Sequence, residues 1–333
     1  MPPNSGDVVS ATRDENDILK PTHLPESKKE QKKGWFFLRK DIRWQTTIVL
    51  AMVHMVAFYG ALTFPYIERY KTILWSYFVA MWAMFGINGG VHRYWCHRSY
   101  KAKLPMKIVL AYCYLLAGQV PFRKWVQYHR LHHRYMETDA DPHNSKRGFF
   151  FSHIGWLMVQ RTPEANEKIK TIDLSDMEAD PVVKFADKYY FQLSFLTQVV
   201  SVLIPVYLWN EEWYYAVLSQ FIRYAYTLNA MFSINSIAHS WGYKPYDKNI
   251  APVENRFASY VSFGEGWHNY HHTFPWDYRT PEIGGPRFDV VAWLITAFEK
   301  IGWAYDLKRP SPKIVEMAMN RKGDGTFLKT AMS

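Results

Sequence analysis

Nine of the thirteen histidines in this 333-residue chain fall into three clusters and one outlier. His92 and His97 bracket Arg-Tyr-Trp-Cys, His129 is followed by His132 and His133, and His268 is followed by His271 and His272, while His239 stands alone. Imidazole titrates near neutrality and is the commonest protein metal ligand. A zinc site closes at four ligands, so nine imidazoles point to two ions with four or five nitrogens each. Imidazole suits iron, zinc and copper alike, and the ligand type does not name the metal. On a helix, positions i, i+3 and i+4 share one face, so each HxxHH cluster presents three imidazoles to one side. His92 and His97 are five apart and do not align on a regular α-helix. That spacing places His92 at the end of an apolar span and His97 past a break. Asn235 lies one turn before His239, on the same face, where it could orient a metal-bound water or a ligand imidazole. His23, His54, His143 and His153 occur singly and read as ordinary surface or core residues.

The elements that must carry these clusters are long and apolar. Thr46–Pro65 and Thr72–Val91 are two uncharged runs of the length a helix needs to cross the hydrocarbon core, separated by a short connector. A third runs over Tyr189–Trp209 and a fourth over Trp213–Ile234. Trp and Tyr crowd their ends, as interface belts do. Arg223 lies inside the fourth span, where a charge is costly in lipid, so it is expected to face the protein interior and have a partner. Leu104–Gly118 is apolar but short and reads as a buried or interfacial helix. No signal-peptide pattern appears at the N-terminus. Residues 1–27 read as a disordered tail, and residues 28–43 as a basic, aromatic segment at the membrane surface.

The mean hydropathy of −0.27 hides this division into polar ends and apolar spans. The net charge of +10 borders the spans without a nucleic-acid-binding motif, which favours anionic lipid headgroups, and an anionic substrate, over nucleic acid. Lys and Arg flank the start of the first span and the end of the second, and are missing from the connector Asn210–Glu212. The positive-inside rule then places both termini and residues 92–188 in the cytosol, with every histidine cluster on one side. A metal transporter or sensor would instead need a polar path through mid-membrane, and the histidines lie outside the spans. Two cysteines, Cys96 and Cys113, are too few for a disulfide framework and are expected to be reduced.

The order HxxxxH, HxxHH, HxxHH, with Asn235 and His239 before the last box, resembles the membrane fatty acyl desaturases, most closely the animal and insect acyl-CoA desaturases. Residues Glu137 to Asn144, Arg147 to His153, Asp173 to Asp176, Tyr246 to Ile250 and Gly264 to Gly266 extend the likeness, which covers about residues 35–310. The resemblance implies an all-α multi-pass protein of the endoplasmic reticulum membrane. Four transmembrane helices would carry a cytosolic helical cap with a histidine-ligated di-iron site. A cytosolic tail, 1–34, would precede the desaturase domain, 35–310, and another, 311–333, would follow it.

The implied reaction places a cis double bond in a fatty acyl-CoA chain, using O2 and electrons from cytochrome b5 and its reductase. No His-Pro-Gly-Gly haem segment occurs, so the cytochrome is expected as a separate partner. By position, one iron would take His92, His97, His129, His133 and His271. The other would take His132, His239, His268 and His272, with Asn235 holding a water on it. A membrane di-iron hydroxylase of a lipid substrate is the alternative, since both reactions begin at an unactivated C–H bond. The chain departs from the family at Val120, Gln127, Tyr128, Gln160 and Phe232, places that in the family touch the CoA headgroup or the acyl chain. Arg161 is the remaining candidate phosphate contact there. Ser76, Ala80 and Met84, at i, i+4 and i+8 on the second span, are expected to line the closed end of an acyl tunnel.

Overall fold

The computed structural model describes residues 41–280 and 288–326. The basic segment at 28–40 and His23 lie outside the described residues. The apolar runs become helices α1 (Trp44–Thr63) and α2 (Tyr70–Phe85), followed by α3 (Leu104–Ala117) and α4 (Phe122–Tyr135). Then come α5 (Pro181–Lys188), α6 (Tyr190–Trp209) and α7 (Trp213–Ser236). Three shorter helices complete the frame, α8 (His268–Thr273), α9 (Val290–Lys300) and α10 (Pro312–Lys322). The one described sheet is a two-residue antiparallel pairing of Lys101–Ala102 with Ala304–Tyr305.

Two described helices are long and apolar enough to cross a membrane, α1 and α6, with hydropathies of 1.6 and 1.7. Both turn large apolar side chains outward, Met55, Phe58 and Leu62 on α1 and Phe191, Phe195 and Leu208 on α6. Lipid, not water, suits such faces. The second and fourth expected spans differ from this pattern. The α-helical part of α2 stops at Phe85 and continues as a π-helix, Gly86–Cys96. Helix α7 runs for 24 residues but carries Gln220, Arg223 and Asn229.

The π-helix corrects the expected break between His92 and His97. A π turn closes i to i+5, and the His97 N–H donates to the His92 carbonyl at 3.0 Å. The wider turn brings residues five apart to one side without interrupting the chain. Gly86 lets this segment lie on α3, because a Cβ there would sit 2.1 Å from the Tyr114 nitrogen.

Helix α3 is buried on one side and through its last turn, with Leu104, Ile108 and Tyr112 exposed, as suits a short interfacial helix, and its C-terminus ends among α6 and α7. The last carbonyls of a helix have no intrahelical donor, and in an apolar interior they must find one. Here Ser194 Oγ and Thr197 Oγ1 donate to the Leu115 carbonyl, and Gln198 Nε2 and Arg223 Nη1 to that of Leu116. Arg223 is buried as expected, also donating to Gln220 and Gln198. A guanidinium at a helix C-terminus also meets the negative end of the macrodipole.

Helix α4 starts after Pro121 with no side-chain cap of its own. Asp187 of α5 takes that role, accepting from the Phe122 and Arg123 N–H groups at 2.6 and 3.2 Å. The connectors 66–71 and 210–212 are joined by Arg69, which pairs with Glu211 at 2.8 Å and with Glu212. Residues 311–326, expected as a tail, are instead packed on the domain. Ala318 of α10 is buried against Tyr246, Tyr270 and Phe274.

Candidate metal centre

Five imidazoles from three elements form the first group. The π-helix supplies His92 and the residue that caps its end is His97, α4 supplies His129 and His133, and α8 supplies His271. Their Nε2 atoms follow one another at hydrogen-bond distance: His92 to His271 3.0 Å, His271 to His133 3.1 Å, His133 to His129 3.1 Å and His129 to His97 2.9 Å. The second group takes His132 from α4, His239 from the turn after α7, and His268 and His272 from α8, the last two with Nε2 atoms 3.1 Å apart. Within each group one ligand atom per residue lies within 4.8 Å of all the others. The groups adjoin, with the His133 and His272 rings stacked at 4.1 Å. Helix α4 serves both because His132 and His133, one residue apart, are rotated about 100° from one another.

The chemistry of this donor set fits a cation. Burial, then mutual repulsion, pushes His97, His129, His133, His268, His271 and His272 well below the ordinary histidine range, and His132 follows through burial and His239. They are neutral at pH 7, the form that binds metal. His239 Nε2 is buried with no hydrogen-bond partner, and an unsatisfied nitrogen in that position calls for an explanation such as an ion. Cys96 is buried and belongs to neither imidazole group; burial pushes its thiol up to about 12.

Three carboxylates complete the centre, and sequence reasoning gave them no role. Glu265 Oε2 lies 3.1 Å from His92 Nδ1, Glu137 Oε1 3.0 Å from His239 Nδ1, and both Asp141 oxygens 3.0 Å from His132 Nδ1. Burial opposes ionisation of Glu265, but Arg93 and His92 outweigh it and hold the carboxyl at about 2. At Glu137 burial likewise opposes ionisation and is outweighed by His239, Ser145 and His132 together, again giving about 2. Burial pushes Asp141 upward, despite two backbone N–H donors. Trp125, also unforeseen, stacks on His129 at 5.0 Å and is held by Gln119. The sequence signal for the carboxylates was their place in segments 137–144 and 264–266, beside or between the boxes.

Residues 70–282 match the family model for fatty acid desaturase. The chain belongs to the fatty acid desaturase family. It is 41% identical to the acyl-CoA Delta-9 desaturase of Acheta domesticus, over 98% of this chain and 92% of that one. Stearoyl-CoA desaturase 5 of Bos taurus is 43% identical, over 86% of each chain. The (11Z)-hexadec-11-enoyl-CoA conjugase of Bombyx mori is 40% identical, over 98% of each.

The other expected site residues of this desaturase are dispersed. Asn235 is half-buried near the end of α7, four residues before His239. Ser76, Ala80 and Met84 are all buried on one side of α2. Arg161 is exposed and donates to the Tyr128 hydroxyl at 2.5 Å and to Asn166 at 2.9 Å. With Arg123, Lys124, Gln127 and Tyr128 it lines an open cleft of about 450 Å³, so three of the places read as family contacts or departures meet there. Of the histidines read as bystanders, His54 and His153 share Asn229, at 3.0 and 3.1 Å. His143 is drawn closer to the centre than expected, with its ring 4.3 Å from that of His132.

Proposed function

We propose that this chain is an acyl-CoA desaturase that introduces a cis double bond into a fatty acyl-CoA. The observation that carries the reading is the pair of adjoining imidazole groups, five and four strong, each with its ligand atoms within 4.8 Å of one another. His92, His97, His129, His133 and His271 would hold one iron. His132, His239, His268 and His272 would hold the other, with Asn235 orienting a water beside it. When bound, the two irons supply the oxidising power, with O2 as oxidant and electrons from a separate cytochrome b5 and its reductase, to remove two hydrogens from an unactivated chain.

The protein's own work is positioning and exclusion of water. Arg161, together with Arg123 and Lys124 in the same cleft, presents cations suited to CoA phosphates. Ser76, Ala80 and Met84 on α2 would bound the far end of the acyl chain. Four spans, α1, α2 continued to Val91, α6 and α7, would anchor the chain in the endoplasmic reticulum membrane. The tail 1–34 and the C-terminal residues 311–333 would flank the domain 35–310 on the cytosolic side. The Lys/Arg bias supports this orientation, and the Arg69 tie to Glu211 suits two connectors that share one side.

Expression in desaturase-deficient yeast tests the reading. Growth without added unsaturated fatty acid and new cis-alkenes located by mass spectrometry are expected, and both should vanish in His132→Ala. Hydroxylated acyl chains in place of alkenes would transfer the assignment to a hydroxylase.

A further inference from the structure

The nine imidazoles differ on the side away from the centre. A neutral imidazole carries one N–H, and the acceptor it meets decides which nitrogen keeps the lone pair. His132 and His239 each hydrogen-bond a carboxylate through Nδ1 at 3.0 Å, and His92 Nδ1 stands 3.1 Å from Glu265 Oε2, close but outside hydrogen-bond geometry. The Nε2 atoms of His132 and His239 are thereby left as lone-pair donors facing inward.

The carboxylates are themselves held in two distinct ways. Glu137 and Asp141 belong to one loop after α4. Glu137 has a left-handed backbone, with φ of 58°, a conformation a non-glycine residue keeps only where its surroundings enforce it. Ser145 Oγ and the Lys146 N–H donate to its carboxylate at 2.8 and 3.1 Å. Its own N–H donates to Asp141 Oδ2 at 2.9 Å, and the His143 N–H to Oδ1 at 3.1 Å. Among the described residues no Lys or Arg pairs with either carboxylate. Glu265 differs. Arg93 donates to its Oε1 through Nε and Nη2, at 3.1 and 2.7 Å, and is itself fixed by Asp289 at 2.9 Å. The five-histidine group therefore has one carboxylate, neutralised by a guanidinium, and the four-histidine group has two that are not.

We propose that Glu137, Asp141 and Glu265 are positioning residues that act on the two metal positions separately. Glu137 and Asp141 orient and polarise the four-histidine position, where anionic acceptors make up for the fewer imidazoles. Glu265 does so for the five-histidine position, with Arg93 muting its charge. This rests on the metal-centre reading and adds that the two ions sit in electronically unequal sites with independent supports.

The test uses full-length protein loaded with 57Fe in detergent. Iron per chain is followed during chelator titration, with Mössbauer spectra to tell the two environments apart. In E137Q and D141N one iron is expected to leave at a chelator concentration about 10–100-fold lower than in the unaltered chain, while the other stays. In E265Q the complementary spectral component should leave first. Ser145→Ala, which only loosens Glu137, should shift the same component as E137Q by less, and guards against poor folding of that variant. The melting temperature of metal-free E137Q and S145A should be little changed, as a merely structural role would not allow, whereas E265Q also breaks the buried pair with Arg93 and is expected to melt lower. Unaltered chelator midpoints in all variants, or loss of the same component from E137Q and E265Q, would overturn the inference alone. An unaltered chain that binds no iron would overturn the metal-centre reading with it.

Discussion

At the scale of single residues, the centre is defined by groups kept uncharged against their solution tendency. Seven of the nine histidines are pushed down, first by burial and then by one another or by His239. An unfolded histidine titrates near 6.5. As pH falls below that value, the unfolded chain takes up protons that the folded, metal-free chain does not, so folding stability must fall with pH. One such histidine acting fully costs about 1.4 kcal/mol per pH unit. The melting temperature of the metal-free protein is therefore expected to drop steadily from pH 7.5 to 5.5. A flat or rising profile would mean that these imidazoles are hydrated in the folded state. Cys96, pushed the other way by the same burial, stays a thiol throughout this range.

At the scale of elements, two devices set the centre in place: the π-helix and the buried end of α3. The π-helix can lie against α3 because Gly86 has no side chain. A Cβ there would stand 2.1 Å from the Tyr114 nitrogen and 2.2 Å from the Cys113 carbonyl carbon, and neither backbone atom can yield without moving α3. Overpacking of an interior commonly costs about 1–3 kcal/mol, and a clash with backbone belongs at or beyond the upper end. Gly86→Ala is expected to lower the thermal stability of purified protein by several degrees or prevent its accumulation. Gly325→Ala, with open space around its Cβ but a φ of 83°, should cost much less. Equal melting temperatures for the two variants would refute the close-packing argument. The sequence made the α-helical parts legible: HxxHH follows the 3.6-residue period, and the ends of α1, α6 and α7 fall within a few residues of the apolar runs. The five-residue spacing of His92 and His97 matched no α-helical template, and so read as a break. The carboxylates were hidden for a different reason. Glu137 meets His239 across 102 positions, and no local periodicity reports such a pairing.

At the scale of the whole molecule, the polar atoms of the interior divide between the centre and the bundle. In the bundle, Arg223, Gln220 and Gln198 are joined around the end of α3, and Gln220 Nε2 also donates to Ser76 Oγ at 3.2 Å. Ser76 is thus tied to a hydrogen-bonded polar cluster, a poor neighbour for the methyl end of an acyl chain. Ala80 and Met84, one and two turns nearer the imidazoles on the same side of α2, are buried and apolar. If the chain runs from the centre along α2, Ser76 and its cluster form the floor, and the volume at Ala80 sets how many methylenes fit above it. Filling that volume shortens the space without touching any imidazole. A single methylene in an apolar pocket is worth about 1–3 kcal/mol, or roughly 10–200-fold in kcat/KM. Ala80→Leu is therefore expected to shift product toward shorter acyl chains, with kcat/KM for the longer substrate falling about tenfold or more and iron content unchanged. Ala80→Gly should relax the preference in the opposite sense. Identical chain-length profiles across Leu, Ala and Gly at this position would place the closed end of the acyl site away from α2.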